Sequence, residues 1–105
     1  MIRPASAKLA LLMSVATLTL SAHSAHANPE GGVVVGGAAT IAENGKTLDV
    51  NQATNRVVID WRSFDIEVDE KTRFHQPSAS ATALNRVNSA DPSQILGTLT
   101  ANGNI

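Results

Sequence analysis

The stretch FHQPSASATALNRV, residues 74–87, carries the fold prediction, because apolar residues, a proline and alternating small residues follow one another within it. We predict that Phe74, Leu84 and Val87 face inward, and that Pro77 marks a corner of the chain. Alternating small side chains suit the narrow interior of a coil of β-strands. The small residues expected in that interior are Ala79, Ala81 and Ala83.

The same stretch also raises the hypothesis of a serine hydrolase, with His75 as base and Ser78 or Ser80 as nucleophile. Such a site needs a base within hydrogen-bond reach and a third group that orients the base. The serines lack a nucleophile-elbow pattern, and no glycine-rich oxyanion segment follows them. We therefore interpret these residues as polar surface groups at a corner, and expect neither enzymatic activity nor a cofactor.

Working outward, the chain shows short β-rich runs separated by turn residues, with almost no helical pattern after the N-terminal segment. Asn44-Gly45 is a strong signal for a two-residue hairpin. Phe64, Ile66 and Val68 alternate with polar residues, which predicts a strand. The predicted strands lie within GGVVVGG (31–37), ATIAENGKTLDVNQ (39–52), NRVVIDW (55–61), SFDIEVD (63–69), ALNRV (83–87) and SQILGTLTANGNI (93–105).

The spacing of the later strands favours a solenoid over an antiparallel sandwich. A sandwich would need clear two-residue turns throughout, and only Asn44-Gly45 qualifies. Parallel strands joined by short polar corners are typical of a β-solenoid. The residues themselves therefore predict an all-β fold that begins a solenoid.

The N-terminal 27 residues have the pattern of a cleaved secretory signal. Arg3 and Lys8 precede an apolar run at residues 9–20, and Ala25-His26-Ala27 has the small residues that signal peptidase needs. The run is too short for a stable membrane span, which takes about 20 residues. We predict export by the Sec machinery and cleavage between Ala27 and Asn28, in preference to a buried helix. The domain then comprises residues 28–105.

Charge and cysteine content limit the partners and the chemistry. Two of the eight basic residues lie in the leader and all nine acidic residues follow it, so residues 28–105 carry a net charge of −3. That balance gives no reason to expect nucleic acid or anionic lipid as a partner. The chain has no cysteine, so a small exported domain must rely on a very regular fold or on a larger whole.

Two further groups of residues suggest binding sites. Asp65, Glu67 and Asp69 would share one face of a strand, where carboxylates could bind Ca²⁺, but one strand supplies too few ligands. We prefer a solvated face and expect no metal. Trp61, beside Phe64, could stack on a sugar in an adhesin, and we favour a buried position in the core.

Several motifs in order resemble the N-terminal secretion domain of filamentous-haemagglutinin-type exoproteins, the secreted partners of Gram-negative two-partner secretion systems. Each motif alone is weak, and together they cover nearly the whole chain from about residue 28. The matching motifs are Asn55-Arg56-Val57-Val58, Trp61-x-Ser63-Phe64-Asp65-Ile66, Phe74-x-Gln76-Pro77-Ser78, Ala83-Leu84-Asn85-Arg86-Val87, Ser93-x-Ile95-x-Gly97-x-Leu99 and Ala101-Asn102-Gly103.

This resemblance implies a right-handed parallel β-helix with an N-terminal β cap. It also implies recognition in the periplasm by the POTRA domains of a dedicated outer-membrane barrel transporter, followed by release or display at the cell surface. An extended segment can dock by adding a strand to a sheet edge. The residues that the resemblance marks for transporter recognition are Asn55, Arg56, Trp61, Phe64, Gln76, Pro77, Ser78, Leu84, Asn85, Arg86, Asn102 and Gly103.

The C-terminal end departs from the family pattern. There the Ala-Asn-Gly segment is normally followed by an apolar strand, an Asn-Pro-x-Gly motif and further coils, whereas this sequence stops at Ile105. We expect a truncated product, a gene fragment or an incomplete reading frame holding the cap and the first coils.

The parent protein's cargo stays open among an adhesin, a haemolysin and a contact-dependent toxin. An adhesin, a virulence factor that contacts host or bacterial glycans, is our expectation. The alternative is a self-sufficient small secreted adhesin or carbohydrate-binding module.

Overall fold

A computed structural model describes residues 27–105, and the predicted leader therefore lies outside the described residues except for Ala27. In this part of the chain every regular element is a β-strand, and there is no helix long and apolar enough to cross a membrane. The strands are β1 (Val33–Gly36), β2 (Ala39–Asn44), β3 (Thr47–Gln52), β4 (Arg56–Trp61), β5 (Lys71–His75), β6 (Thr82–Val87) and β7 (Thr98–Ala101).

The first strands form an antiparallel cap. β2 and β3 pair along their full length, and Asn44 faces Thr47 across the turn. Gly45 has a φ of +62°, the left-handed conformation that glycine adopts without a steric penalty. The hairpin predicted from Asn44-Gly45 is confirmed. β1 pairs antiparallel with β4, with an irregularity between Val34 and Gly36.

From β4 onward the chain alternates between two sheets, and β5, β6 and β7 each pair in parallel with the strand one coil earlier. The first sheet has the order β1-β4-β6 and the second the order β2-β3-β5-β7. Thr47 of β3 pairs with Lys71, 24 positions later. Arg56 of β4 pairs with Thr82, 26 positions later, and Lys71 of β5 pairs with Thr98, 27 positions later. This arrangement is the start of the predicted solenoid.

The core lies between the two sheets. Trp61 is 1% exposed and packs edge-on against Phe64, with ring centroids 5.6 Å apart and an interplanar angle of 82°. This geometry is favourable for aromatic pairs, and the core position predicted for Trp61 is confirmed. The buried apolar cluster consists of Leu48, Val50, Val57, Ile59, Trp61, Phe64, Ile66, Phe74 and Ala83.

The strand predicted for residues 63–69 is wrong. Ser63 and Ile66 form only isolated bridges, and the chain turns at Val68 and Asp69. The turn is held by the Glu70 amide, which donates to the Glu67 carbonyl at 3.0 Å. The Glu70 carboxylate in turn accepts the Glu67 amide at 2.9 Å. These bonds replace a sheet ladder, so Val68 is 76% exposed although Phe64 and Ile66 are buried.

The inward positions predicted in residues 74–87 are partly wrong. Phe74 is buried and Pro77 lies at a bend, as predicted. Leu84, however, points outward and is 54% exposed, and Val87 at the end of β6 is also exposed. Ala83, which has the opposite parity to Leu84, lies in the core cluster with Trp61 and Phe74. Val87 shares the inward parity of Ala83 and pairs with Trp61, but it lies at the exposed end of the strand. Of the three predicted alanines, Ala81 and Ala83 are buried and Ala79 is exposed.

A column of buried amide side chains joins successive coils at the corner between the sheets. The Gln76 Nε2 group donates to Gln52 Oε1 at 3.1 Å and to the Asn104 carbonyl at 2.9 Å. The Gln76 Oε1 atom accepts the Gly103 amide at 2.7 Å. Gln52 Nε2 donates to the carbonyls of Thr54 and Thr82. We call Gln52, Gln76 and the 103–104 backbone the corner ladder.

Replacement of Gln76 by leucine should destabilise the domain strongly. The change leaves the Gly103 amide and Gln52 Oε1 without these buried partners, and each such group costs roughly 1–3 kcal/mol. We therefore expect a loss of at least about 2 kcal/mol in the free energy of unfolding, measured by urea denaturation. Ser78→Ala, at the exposed neighbouring corner, is the matched control and should stay within about 0.5 kcal/mol. Equal effects of the two changes would contradict a structural role for the ladder.

Candidate recognition surface

The residues marked for recognition divide into an interior and an exterior group. Trp61, Phe64 and Gln76 are buried, and they are not available on the folded surface. Asn85 is half-buried because its Oδ1 atom accepts the Trp61 indole N–H at 2.9 Å. The exterior group consists of Asn55, Arg56, Pro77, Ser78, Leu84 and Arg86.

Asn102, which is exposed, and Gly103, which is half-buried, form the corner after β7, next to Gln76 of the corner ladder. The Asn102 side chain clamps the backbone of Gln76: its Oδ1 accepts the Gln76 amide at 2.7 Å and its Nδ2 donates to the Gln76 carbonyl at 2.8 Å. These two hydrogen bonds continue the pairing of β5 with β7 beyond the end of the strands. The amide side chain of Asn102 takes the place of a backbone peptide group. These two residues therefore position the coil.

The exterior group lies on the outer face of the first sheet or on the corners that lead into that sheet. Leu84 stands opposite Val58 on the neighbouring strand, and Val33 and Val35 of β1 are also exposed. One ion pair crosses this apolar face: both nitrogens Nε and Nη2 of Arg86 donate to the Asp60 carboxylate, at 2.6 and 3.0 Å. The pairing raises the pKa of Arg86, chiefly through these hydrogen bonds. We call Val33, Val35, Val58, Asp60, Leu84 and Arg86 the apolar face.

The outer face of the second sheet is polar by contrast, and we call its residues Asp49, Arg73 and His75 the polar face. Arg73 donates to both oxygens of Asp49, at 2.8 and 3.1 Å, and His75 Nε2 lies 2.8 Å from Asp49 Oδ1. Asp49 and Arg73 are direct partners on adjacent parallel strands. The Arg73 bonds, followed by that to His75, lower the pKa of Asp49 to about 2.

The serine-hydrolase hypothesis gains no support from this geometry. The ring of His75 faces Asp49, whereas the hydroxyls of Ser78 and Ser80 lie 3.0 Å from each other. The structure gives no hydrogen bond between His75 and either serine. The three residues do not form a nucleophile and base pair in the described part of the chain.

Asp65 and Asp69, which are predicted to share one strand face, bond to separate partners. Asp65 accepts the Gln94 amide at 2.8 Å, and Asp69 pairs with Lys46, which lowers the pKa of Asp69. No group of three acidic, histidine or cysteine residues capable of holding a metal occurs within residues 27–105.

Sequence reasoning missed the corner ladder and the Asp49–Arg73 pair. A usable signal was present: TLDVNQ (47–52) and KTRFHQ (71–76) are two six-residue segments that both end in glutamine, 24 positions apart. Superposing them pairs Asp49 with Arg73 and Gln52 with Gln76. A repeat search at this period would have indicated both contacts.

Comparison with known proteins agrees with this architecture. The family model described as "TPS secretion domain" matches residues 25–105. The solved structure of the HMW1 secretion domain from Haemophilus influenzae superposes with a TM-score of 0.67 at 32% identity, covering 72% of this chain and 20% of that one. The parallel β-helix begun by an antiparallel β cap is thus the fold of this chain.

Two curated relatives are named heme/hemopexin-binding protein, both from Haemophilus influenzae. One, from strain Rd, is 43% identical over 82 residues, which are 78% of this chain and 9% of the relative. The other is 35% identical over 99 residues, which are 90% of this chain and 11% of the relative. The chain thus spans about a tenth of the length of these relatives.

The hydrogen bonds of Asp49 on the polar face predict the pH at which its carboxyl group titrates. A carboxyl whose pKa is lowered on folding adds stability above its unfolded pKa of about 3.9, and this stability is lost as the pH falls toward 2. An NMR titration of Asp49 should give a midpoint near 2. Arg73→Gln should raise that midpoint more than His75→Gln, since the Arg73 bonds are the larger cause. A larger effect of His75→Gln would contradict this ranking.

Proposed function

The chain belongs to the TPS secretion domain family, and we propose that it is the signal by which the POTRA domains of an outer-membrane barrel transporter recognise a two-partner exoprotein. The observation that carries this proposal is the match of the family model over residues 25–105, the whole of the described domain. Its function is then to bring the parent protein to the transporter.

Export begins with the leader in this proposal. The Sec machinery carries the chain into the periplasm, and signal peptidase cuts between Ala27 and Asn28. The absence of cysteine supports passage through a narrow barrel, because no disulfide can lock the chain beforehand. Once outside, each strand pairs with the coil before it, which opposes backsliding. The protein is then secreted or held at the cell surface.

We place transporter recognition on the apolar face. Leu84 and Arg86 point outward from β6, so they are accessible both in an extended chain and in the folded coil. The interior residues Trp61 and Phe64 lose that accessibility on folding. Exposed apolar side chains beside an ion pair are typical of a protein-binding surface.

The role we propose is binding, without catalysis. The alternative of a self-sufficient lectin-like module is weakened by the burial of Trp61, because a buried indole cannot stack on a sugar. For the parent protein, the names of the two curated relatives favour a heme- or hemopexin-binding cargo as a second candidate beside the adhesin expected from the family resemblance.

A new negative charge on the apolar face should reduce transporter binding and secretion. Leu84→Glu places a carboxylate on this face, and Arg86→Glu also opposes Asp60. We expect each change to weaken binding of the exported chain to the transporter's purified periplasmic domains by at least about tenfold, measured by surface plasmon resonance, and to lower secretion.

Arg73→Glu on the polar face is the matched control and should bind as the unchanged chain does. Circular dichroism of each variant establishes that the strands have formed. Unchanged binding of folded Leu84→Glu and Arg86→Glu would refute the placement on the apolar face. No binding by the unchanged chain would refute transporter recognition itself.

A further inference from the structure

We propose that cleavage of the leader creates a ligand for a site within the domain: the α-ammonium group of Asn28 binds the buried carboxylate of Glu70. The proposal rests on cleavage between Ala27 and Asn28 and goes beyond transporter recognition. It makes Glu70 an ammonium-binding residue that fastens the N-terminus of the processed chain to the cap.

Glu70 faces the place where the leader joins the domain. It is 2% exposed and follows the turn at Val68 and Asp69. Its Oε1 atom accepts the Glu67 amide at 2.9 Å, and the amide of Ala27 lies 3.3 Å from each carboxylate oxygen. A buried carboxylate is stabilised most by a cation that also donates hydrogen bonds.

Asn28 is anchored beside this carboxylate by its own side chain. It is 1% exposed; its Nδ2 group donates to the Lys46 carbonyl at 3.0 Å, and its Oδ1 atom accepts the Thr72 hydroxyl at 3.1 Å. Pro29 is buried next to it. These contacts do not involve any residue before Asn28, so they can hold it in place after the leader has left.

Cleavage changes a neutral donor into a charged one. Hydrolysis adds water across the Ala27–Asn28 amide: the C–N bond breaks, the Ala27 carbonyl carbon gains oxygen to become a carboxylate, and the Asn28 nitrogen takes up protons to become an ammonium. The Ala27 amide departs with the leader. Standard bond lengths place consecutive backbone nitrogens no more than about 3.6 Å apart. The ammonium therefore forms close enough to Glu70 for a rotation of the Glu70 side chain to bring the carboxylate to it.

Lys46 experiences the negative charge of Glu70, but its hydrogen-bond partner is Asp69, which is the main cause of its raised pKa.

Because Asn28 and Pro29 are buried in the folded cap, the peptidase must also cut before the cap closes around them. Processing thus precedes completion of the cap.

The test measures the pKa of the α-amine in the exported, processed chain. Mass spectrometry first establishes that the chain begins at Asn28; the amine is then labelled by reductive ¹³C-methylation and titrated by NMR. We expect a pKa about one unit above that of the same labelled amine in the urea-unfolded chain, near the ordinary value of about 8. Glu70→Gln should remove the shift, and Glu67→Gln, the matched control, should keep it.

Stability gives a second readout that does not depend on the folding of Glu70→Gln. A raised ammonium pKa contributes stability that is complete below about pH 8 and lost as the pH rises through the folded value. The chain has neither cysteine nor tyrosine to titrate in this window. The urea midpoint should therefore fall between pH 8 and 10 in the processed chain, and not in the same chain acetylated at its α-amine.

Three results would overturn the inference. They are an unshifted α-amine, an equal shift in folded Glu70→Gln, and an acetylated chain whose midpoint follows pH as the free chain's does. A processed chain that begins elsewhere than Asn28 would also overturn it, because the ammonium would form away from Glu70. None of these outcomes affects binding to the transporter, so the two proposals fail independently.

Discussion

The structure depends on hydrogen bonding between amide side chains of successive coils. Gln52, Gln76 and the 103–104 backbone bond to one another at the corner, where the Gln52 and Gln76 side chains are buried. Unpaired amide groups at such a position would cost stability. The ladder therefore selects one alignment of the coils. A slip of one residue would also turn every strand's apolar side chains away from the core.

Local sequence patterns were sufficient where one short segment determines its own conformation. Asn44-Gly45 specifies a hairpin through its turn geometry alone, and the β-branched residues of 56–61 form the strand they predict. The alternation of apolar and polar residues at 64–68 led to a wrong strand prediction, because the same alternation also occurs where a buried carboxylate holds a turn. Glu70 makes that turn, and nothing in the alternation itself distinguishes the two cases.

The motifs predicted a set of residues for recognition, but they did not predict which of these residues face outward. Leu84 was expected in the interior because it is apolar, yet the parity of β6 is determined by Ala81 and Ala83, which fit beside bulky neighbours. Asn85 could not be assigned until Trp61 was known to need an acceptor. These choices depend on contacts between coils some 24 to 27 positions apart, and only the register of the strands reveals them.

Paired strands lie 24, 26 or 27 positions apart in the sequence, and this unequal spacing indicates where the protein can be labelled. The coils differ by up to three residues in length, yet their strands stay paired, so the connecting segments absorb the difference. The segment at residues 88–94, between β6 and the bridge at Ile95, is exposed throughout. A fluorophore or a short epitope introduced there would extend an exposed connection without interrupting a paired strand, and would report in living cells whether the domain is secreted.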